Sequence, residues 1–333
     1  TEKAGTAGPG DVVGLGRMDS VQTGDLLSPG GEAGRTEDWP EPLPPLFALA
    51  LRTENRQDDV KLSTALTRLS EEDPSISVEH NAETGELVLW GQGEMHLRIA
   101  LERLENRFGL RVLSERARVP YRETIRGSTS QHARHKKQSG GHGQFGDVHI
   151  DIRPCQRGEG FLFRDTITGG VVPKQYIPSV EHGVTEYLQK GPLGFPVVDI
   201  EVVLTDGQYH SVDSSDAAFK AAAHQAMREG MPACKPVLLE PVMHVAISVP
   251  NAFTAKLQRL ISGRRGQILG FDARDGWEGW DTVQAQIPQA EMHDMVIELR
   301  SLSHGVGSFE WRFDHLAELS GRQADEVVAA AAA

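Results

Sequence analysis

The residue types most able to do chemistry in this chain of 333 residues lie between positions 134 and 146. That stretch has the sequence RHKKQSGGHGQFG, so a basic run is followed directly by a glycine-rich loop. Lysine and arginine neutralise phosphates and release counterions, and glycine lets a backbone approach another chain closely. A second tight polar segment, DGQYHSVDSSDAAF, occupies residues 206–219. Together the two segments predict a surface that contacts nucleic acid.

The glycine-rich loop also matches patterns of nucleotide-binding proteins. Residues 141–146 fit G-x-G-x-x-G, but a dinucleotide loop must open a helix, and the alternating residues 147–151 predict a strand. A kinase would need V-A-I-K, H-R-D and D-F-G elements, and the sequence contains none of them. The phosphate-loop pattern G-x-x-x-x-G-K-[ST] is absent as well, so we expect no specific GTP binding by this sequence.

His210, Asp213 and Ser214 are the residue types of a catalytic triad. Triad members normally come from separate elements that converge in space, and no G-x-S-x-G elbow is present. We expect Asp213 or Ser214 to cap a helix that starts near Asp216 instead. The two cysteines without a C-x-x-C pattern predict neither a disulfide framework nor a zinc site, and they fit a reducing cytoplasm. The sequence thus predicts no catalytic residue, no cofactor and no metal.

The net charge of −13 at pH 7 argues at first against a nucleic-acid partner. Two segments oppose that balance, because residues 117–146 contain Glu123 as their only acid and residues 256–265 contain none. The cations of these segments are Arg118, Arg122, Arg126, Arg134, Lys136, Lys137, Lys256, Arg259, Arg264 and Arg265. They predict RNA contact at chosen places on an acidic body, with ordinary solvated faces as the alternative.

Hydrophobic periodicity predicts the order β-α-β-β-α-β twice, which is the split βαβ, or ferredoxin-like, unit. In the first unit the helices carry apolar residues on one face, at Leu62, Leu66, Leu69 and at Leu97, Leu101, Leu104, Phe108. The second unit covers residues 237–313. The segment between them alternates strands with helices and contains both polar loops. Residues 1–28 predict strands and tight turns, typical of the end of a β-domain.

Longer motifs run through most of the chain. They are LSEEDPS (69–75), GQGEMHL (91–97), PYRETI (120–125), HKKQSGGHGQFGDV (135–148), PVVDIEVVLTDGQYHSVDSSDAAFK (196–220), SGRRGQILGFD (262–272) and LRSLSHGVGSFEWRFDHL (299–316). In this order they resemble the third, fourth and fifth domains of elongation factor G, the ribosomal translocase. Residues 10–27 resemble the close of its second-domain barrel. The sequence is thus identified as similar to the C-terminal portion of an elongation factor G-like translational GTPase.

This resemblance implies an α+β multidomain fold, in which two ferredoxin-like βαββαβ domains flank an elongated α/β arm and follow a remnant of a β-barrel. The implied bounds are residues 1–37 for the end of the barrel, 38–116 for domain III, 117–236 for the arm domain IV, 237–320 for domain V and 321–333 for a C-terminal tail. The family's GTP-binding domain has no counterpart in this sequence. GTP is therefore expected only in the full-length protein, and this chain alone should not hydrolyse it.

The resemblance also implies partners and contact residues. The partners are the ribosome, ribosomal RNA, tRNA and mRNA, for a monomeric cytoplasmic protein with no membrane contact. The implied tip loops that contact RNA lie side by side at the end of the arm and contain Ser139, Gly140, Gly141, His142, Gly143, Gln144, Gln208, His210, Asp213, Ser214 and Ser215. The basic residues implied to face ribosomal RNA are Arg134, Lys136, Lys137, Arg264 and Arg265. For His210 the alternative is that it only fixes the turn before the following helix.

Two departures from the family pattern bear on function. His142 occupies a position where the family usually has arginine, and residues 252–266, AFTAKLQRLISGRRG, replace an opening helix close to YMGDVIGDLNSRRG. The parent protein is therefore either the housekeeping translocase or a paralogue that acts in ribosome recycling or protection. A GTP-independent RNA- or ribosome-binding module is the remaining alternative.

Overall fold

A computed structural model describes residues 5–16, 18, 21, 23–28, 44–138 and 143–332. The chain divides into two compact units, residues 1–117 and residues 118–333. The described residues form three sheets, one in the first unit and two in the second. Within the same residues, no helix is both long enough and apolar enough to cross a membrane.

The first unit packs two helices on a four-stranded sheet. Its elements are β1 (Phe47–Thr53), α1 (Asp59–Glu72), β2 (Ser77–Asn81), β3 (Glu86–Gly91), α2 (Glu94–Phe108) and β4 (Val112–Arg116). The strand order is β2-β3-β1-β4, with antiparallel neighbours throughout. Leu66 and Leu69 of α1 and Leu97 and Leu104 of α2 are buried, so the leucine spacing places one apolar face of each helix on the sheet. The ferredoxin-like prediction for this region is confirmed.

The strands expected within residues 1–28 are not found in the described part of that segment. Residues 5–16, 18, 21 and 23–28 form turns and irregular structure, and Val12 and Leu15 are exposed. A strand is stable only where a neighbour completes its hydrogen-bond ladder, and no described strand of this chain pairs with these residues. The prediction of strands is therefore wrong for the described residues of this segment.

In the second unit, one four-stranded sheet carries two helices on one face and is called the arm sheet. After the short strand β5 (Arg122–Ile125) come β6 (Thr129–Lys137), β7 (Gln144–Pro154), β8 (Phe161–Asp165), α3 (Ile177–Leu188), β9 (Ile200–Gln208) and α4 (Asp216–Gly230). The arm sheet has the order β6-β7-β9-β8, in which β8 runs parallel to β9. Val148, Ile150 and Ile152 alternate along β7 and are buried in one cluster with Phe219 of α4. The alternation of apolar residues at every second position of β7 thus decides which face of the arm sheet carries the helices.

The other sheet of the second unit repeats the ferredoxin-like order, which confirms that prediction too. Its elements are β10 (Pro236–Pro250), α5 (Thr254–Gly263), β11 (Gln267–Ala273), β12 (Trp280–Pro288), α6 (Met295–Leu302) and β13 (Ser308–Leu319), followed by the exposed helix α7 (Arg322–Ala332). The strand order is β11-β12-β10-β13, and β5 also pairs with the start of β10. Strand β5 therefore belongs to this sheet, although its residues lie in the segment predicted to form the arm.

Glu123 of β5 is a buried carboxylate that fixes the loop at residues 191–195. It accepts hydrogen bonds from Leu193 N–H (2.9 Å) and Phe195 N–H (3.1 Å). Burial raises the pKa of Glu123 to about 7, because the loss of hydration outweighs the backbone hydrogen bonds, which act in the opposite direction. The stability of this unit should therefore depend on pH through Glu123.

Candidate nucleic-acid interface

Strand pairing brings both predicted loops to one end of the arm sheet. Strands β6 and β7 form a hairpin in which Lys137 pairs with Gln144, so the first loop lies between these two residues. Asp147 of β7 pairs with Gln208 at the end of β9, where the second loop begins. Because both pairings are antiparallel, the start of β7 lies beside the ends of β6 and β9. The two loops therefore leave the sheet side by side.

Hydrogen bonds join the described part of the first loop to the second loop. Phe145 N–H donates to Asp213 O (2.8 Å), and Ser214 Oγ–H donates to Phe145 O (2.9 Å). Gly143 N–H donates to Asp213 Oδ1 (3.1 Å). The expected juxtaposition is confirmed for residues 143–146, and contact of these loops with RNA stays a prediction. Four predicted tip residues lie outside the described residues, namely Ser139, Gly140, Gly141 and His142.

His210 fixes the second loop through its ring. Its Nδ1 accepts hydrogen bonds from Val212 N–H (3.3 Å) and Asp213 N–H (3.1 Å), and its own backbone N–H donates to Ser214 Oγ (2.9 Å). A nitrogen that accepts carries no proton, so the neutral ring has its proton on Nε2. The side chain is 53% exposed. His210 therefore does fix the turn, as the alternative expected. The same ring also offers its Nε2–H as a donor suited to a phosphate or a 2′-hydroxyl.

Helix α4 begins directly after the second loop, and Ser215 is its N-cap. Ser215 Oγ accepts a hydrogen bond from Ala218 N–H (3.3 Å). The expectation that Asp213 or Ser214 caps this helix is wrong, because the first loop engages both of those side chains. These two predicted tip residues connect the loops instead.

Gly146 allows α4 to lie close to the arm sheet. A Cβ at this position would be 2.5 Å from the carbonyl oxygen of Ala218 and 2.9 Å from the backbone nitrogen of Phe219. Both atoms belong to the backbone of a helix, so neither can rotate away. A Cβ at Gly143, by contrast, would meet the side chain of Asp213 at 2.9 Å, which can move. The last glycine of the pattern is thus required for packing.

The basic residues near the loops differ in what they contact. Arg134 Nε donates to Asp147 Oδ2 (2.5 Å), and its Nη2 donates to Gln208 Oε1 (3.2 Å). Lys136 and Lys137 are exposed at the end of β6. Arg134 therefore ties β6 to β7 and to the end of β9, and the two lysines supply exposed positive charge beside the loops.

Arg264 and Arg265 are engaged by carboxylates of their own domain. Arg265 donates to both oxygens of Glu240 (2.6 and 2.8 Å), which is 4% exposed, and to Glu291 Oε1 (2.9 Å). The hydrogen bonds to Glu240 raise the pKa of Arg265. Arg264 forms an ion pair with Glu298 at 2.9 Å. The geometry assigns these two arginines to stabilising ion pairs and gives no support to the prediction that they face ribosomal RNA.

Two exposed side chains of the second loop that are large and partly or wholly apolar, Tyr209 and Val212, were not among the predicted site residues. Tyr209 is 52% exposed and Val212 is 63% exposed. An exposed tyrosine ring can stack on an unpaired base, which makes Tyr209 a candidate for RNA contact. The sequence carried a signal for Tyr209, because an aromatic residue in a polar loop has no core to enter.

Comparison with known families divides most of the chain into three consecutive matches. Residues 42–116 match elongation factor G domain III, and residues 117–235 match elongation factor G domain IV. Residues 237–327 match the elongation factor G C-terminus. Both loops and the whole arm sheet lie within the domain IV match.

Curated relatives bear the name Elongation factor G-like protein. One from Synechocystis sp. is 57% identical over 94% of this chain and 47% of its own length. Others from Mycobacterium tuberculosis and Thermotoga maritima are 44% and 42% identical, over 91% and 92% of this chain and 42% and 45% of their own lengths. A crystal structure from Thermus thermophilus matches with a TM-score of 0.78 and 38% identity, over 91% of this chain and 45% of that one. The chain spans about half the length of the curated relatives it matches.

Proposed function

This chain belongs to the elongation factor G family, with its domain III, domain IV and C-terminal domain, and from that premise we propose that it is the ribosome-binding part of a translational GTPase. In this proposal the loops at the end of the arm sheet contact tRNA and mRNA in the decoding region while these move. Ribosomal RNA is the further partner, and the protein works as a monomer in the cytoplasm. GTP hydrolysis is assigned to the full-length protein, since this sequence contains no phosphate-loop pattern.

The observation that carries the proposal is the hydrogen-bonded pair of loops at one end of the domain IV sheet. The hydrogen bond from Phe145 N–H to Asp213 O and the one from Ser214 Oγ–H to Phe145 O join the described residues 143–146 of the first loop to the second loop in one surface. A preorganised surface loses little entropy when it meets a ligand, which suits a role based on shape and contact. No catalytic step is required of these residues.

The side chains on this surface suit RNA. Tyr209 and His210 present rings that can stack on bases, and Nε2 of His210 can donate to a phosphate or a 2′-hydroxyl. Lys136 and Lys137 add positive charge at the adjacent strand end, which attracts phosphates. Because the chain as a whole is acidic, the positive charge of these two lysines directs RNA to the end of the arm sheet where the loops lie.

Substitution of His210 in the full-length factor tests the proposal. His210→Ala removes the Nδ1 acceptor and the ring together. A defect in this variant could therefore come from the loss of the turn or from the loss of the RNA contact. His210→Asn is the matched variant, because the asparagine side-chain oxygen can accept from Val212 N–H and Asp213 N–H in place of Nδ1. Only the ring and its Nε2 donor are then lost.

We expect both variants to slow single-turnover translocation by about tenfold, the effect of one lost hydrogen bond to a charged group, with ribosome binding and GTP turnover near normal. Translocation at the unaltered rate in His210→Asn, with a slow His210→Ala, would show that His210 only fixes the turn. Equal loss of translocation, ribosome binding and GTP turnover in both variants, with the fold intact by circular dichroism, would contradict a contact that is made only during movement.

A paralogue that acts in ribosome recycling or protection is the second candidate function. Helix α5 favours it, because its sequence from Thr254 departs from the family pattern while the GRRG end is kept. The change of arginine to His142 removes a permanent cation from the first loop. Complementation by the full-length gene in cells depleted of their ordinary translocase separates the two functions: growth supports the translocase, and failure despite normal expression supports the paralogue.

A further inference from the structure

A cluster of two histidines and a buried aspartate lies on the face of the arm sheet opposite its helices. His132 of β6 pairs with His149 of β7, and Arg134 pairs with Asp147, so all four side chains share that face. The two imidazole rings are stacked, with centroids 4.1 Å apart and planes at 11°. The proposed function makes no use of this cluster.

Asp147 is fully buried, and its two oxygens differ in their partners. Oδ2 accepts a hydrogen bond from Arg134 Nε (2.5 Å) and lies 3.0 Å from His132 Nε2. Oδ1 is buried and has no hydrogen-bond partner among the described residues, with His149 Nε2 at 3.8 Å. A buried carboxylate oxygen without a hydrogen-bond partner lowers the stability of a folded protein. The position of Oδ1 therefore raises the question of which ligand it binds.

We propose that His132, Asp147 and His149 bind a divalent transition-metal ion of the Zn²⁺ type. One ligand atom from each residue lies within 4.8 Å of the others, and this is the one group of three such residues found in the part of the chain that the structure describes. Two imidazoles and one carboxylate suit zinc and its neighbours, which bind such ligands at about 2.0–2.2 Å. The ion would give Asp147 Oδ1 the partner that it lacks.

Binding requires a small rearrangement that the exposure of the histidines permits. Parallel rings direct their nitrogen lone pairs side by side, so the two rings must turn toward a common point. The side chains of His132 and His149 are 45% and 43% exposed, so they can rotate without disturbing the core. Their exposure also leaves the remaining coordination positions to water.

Arg134 opposes a cation by its charge but does not occupy the required oxygen. Its hydrogen bond goes to Oδ2, so the metal and the guanidinium share the carboxylate through different oxygens. The Arg134 side chain is 46% exposed, and solvent screens its repulsion of the ion. An ion here would link β6 to β7 at the end of the sheet where Asp147 pairs with Gln208, the residue at which the second loop begins.

The chain itself, freed of metal by chelation, is the material for the test. Zn²⁺ is titrated in competition with a chromophoric chelator, and bound metal is counted after gel filtration. His132→Ala and His149→Ala remove ligands, and both residues are half exposed, so the variants should fold; circular dichroism checks this. His135→Ala is the matched control, because His135 lies on the same strand but binds Gln144 (2.9 Å) outside the cluster.

We expect one equivalent of Zn²⁺ per chain and a rise in the thermal midpoint of roughly 5 °C at saturation, because the ion binds the folded form. Each ligand variant should weaken binding at least tenfold, since loss even of an outer-shell partner costs about 10–100-fold, and His135→Ala should leave it unchanged. Absence of stoichiometric binding by the unaltered chain would overturn the proposal. Unchanged affinity in His149→Ala, or an equal loss in His135→Ala, would overturn it as well.

Discussion

Replacing Gly146 by alanine is the sharpest test of how the loops are positioned. The change adds a single methyl group, yet that carbon would lie 2.5 Å from Ala218 O and 2.7 Å from Ala218 C. Carbon atoms without a bond between them pack at roughly 3.5–4 Å, and Cβ atoms essentially never come within 3.0 Å of a heavy atom outside their own residue and its chain neighbours. Helix α4 and strand β7 must therefore separate. The hydrogen bond from Phe145 N–H to Asp213 O lies directly beside the contact between Gly146 and Ala218.

The cost follows from what α4 buries. Phe219, Ala222 and Met227 of this helix are fully buried against the arm sheet, so a retreat of the helix opens the core. Overpacking of a well-packed interior costs roughly 1–3 kcal/mol, and we expect about 2 kcal/mol here because both opposing atoms belong to a backbone. For a unit of this size that loss lowers the thermal midpoint by roughly 4–8 °C.

The assay must report on the second unit, because the chain has two compact units that need not unfold together. Urea unfolding gives the change in free energy, and hydrogen exchange of the amides in α4 and β7 assigns it to this contact. Gly270→Ala is the matched control, since a Cβ at Gly270 would meet nothing within 4 Å. That variant should lie within about 0.5 kcal/mol of the unaltered chain.

Two results would refute this reasoning. One is a Gly146→Ala variant that is as stable as the unaltered chain, since the backbone contact would then have relaxed at no cost. The other is an equal loss in Gly270→Ala, which would trace the effect to glycine replacement in strands generally and remove the specific role of α4.

Further predictions concern the ion pair of the C-terminal domain, the cap of α4 and the buried glutamate. Replacing Arg265 by methionine leaves Glu240 buried without its partner, so the free energy of unfolding should fall by about 3 kcal/mol in urea. A second change, Glu240→Gln, should recover part of that loss, and a fully stable single variant would contradict the assignment. Ser215→Ala should cost about 1 kcal/mol while Ser215→Thr keeps the cap, a difference visible in the denaturation midpoint. The pKa of Glu123 is about 7 in the folded chain and 4.5 when the side chain is exposed, so Glu123 of the unfolded chain loses its proton at a lower pH. The free energy of unfolding should therefore fall by on the order of 3 kcal/mol as the pH rises from 4.5 to about 7. Glu123→Gln should remove this fall, and a stability that instead rises with pH relative to that variant would show that the backbone hydrogen bonds outweigh burial.

The sequence alone was sufficient for the elements that rest on local pattern. Leucines at helical spacing around Leu66 and Leu104 predict helices with one apolar face, and alternation along β7 predicts a half-buried strand. Burial follows directly from such periods, because side-chain direction repeats every 3.6 residues in a helix and every two in a strand. The motifs from residue 69 to residue 316 were enough to place both ferredoxin-like domains and the two loops between them.

Only the tertiary structure decided which distant residues share a contact. Strand β5 joins the C-terminal sheet because β10 offers it an edge, and no local period records that pairing. Asp147 occupies a strand position that local composition would assign to solvent, but the neighbouring strands and the side chain of Arg134 cover it. The carboxylates that engage Arg265 likewise come from other elements of its domain. Local sequence sets the direction in which a side chain points, whereas its partners depend on how separate elements pack, and it is those partners that determine which cations and histidines of this chain are available to a ligand.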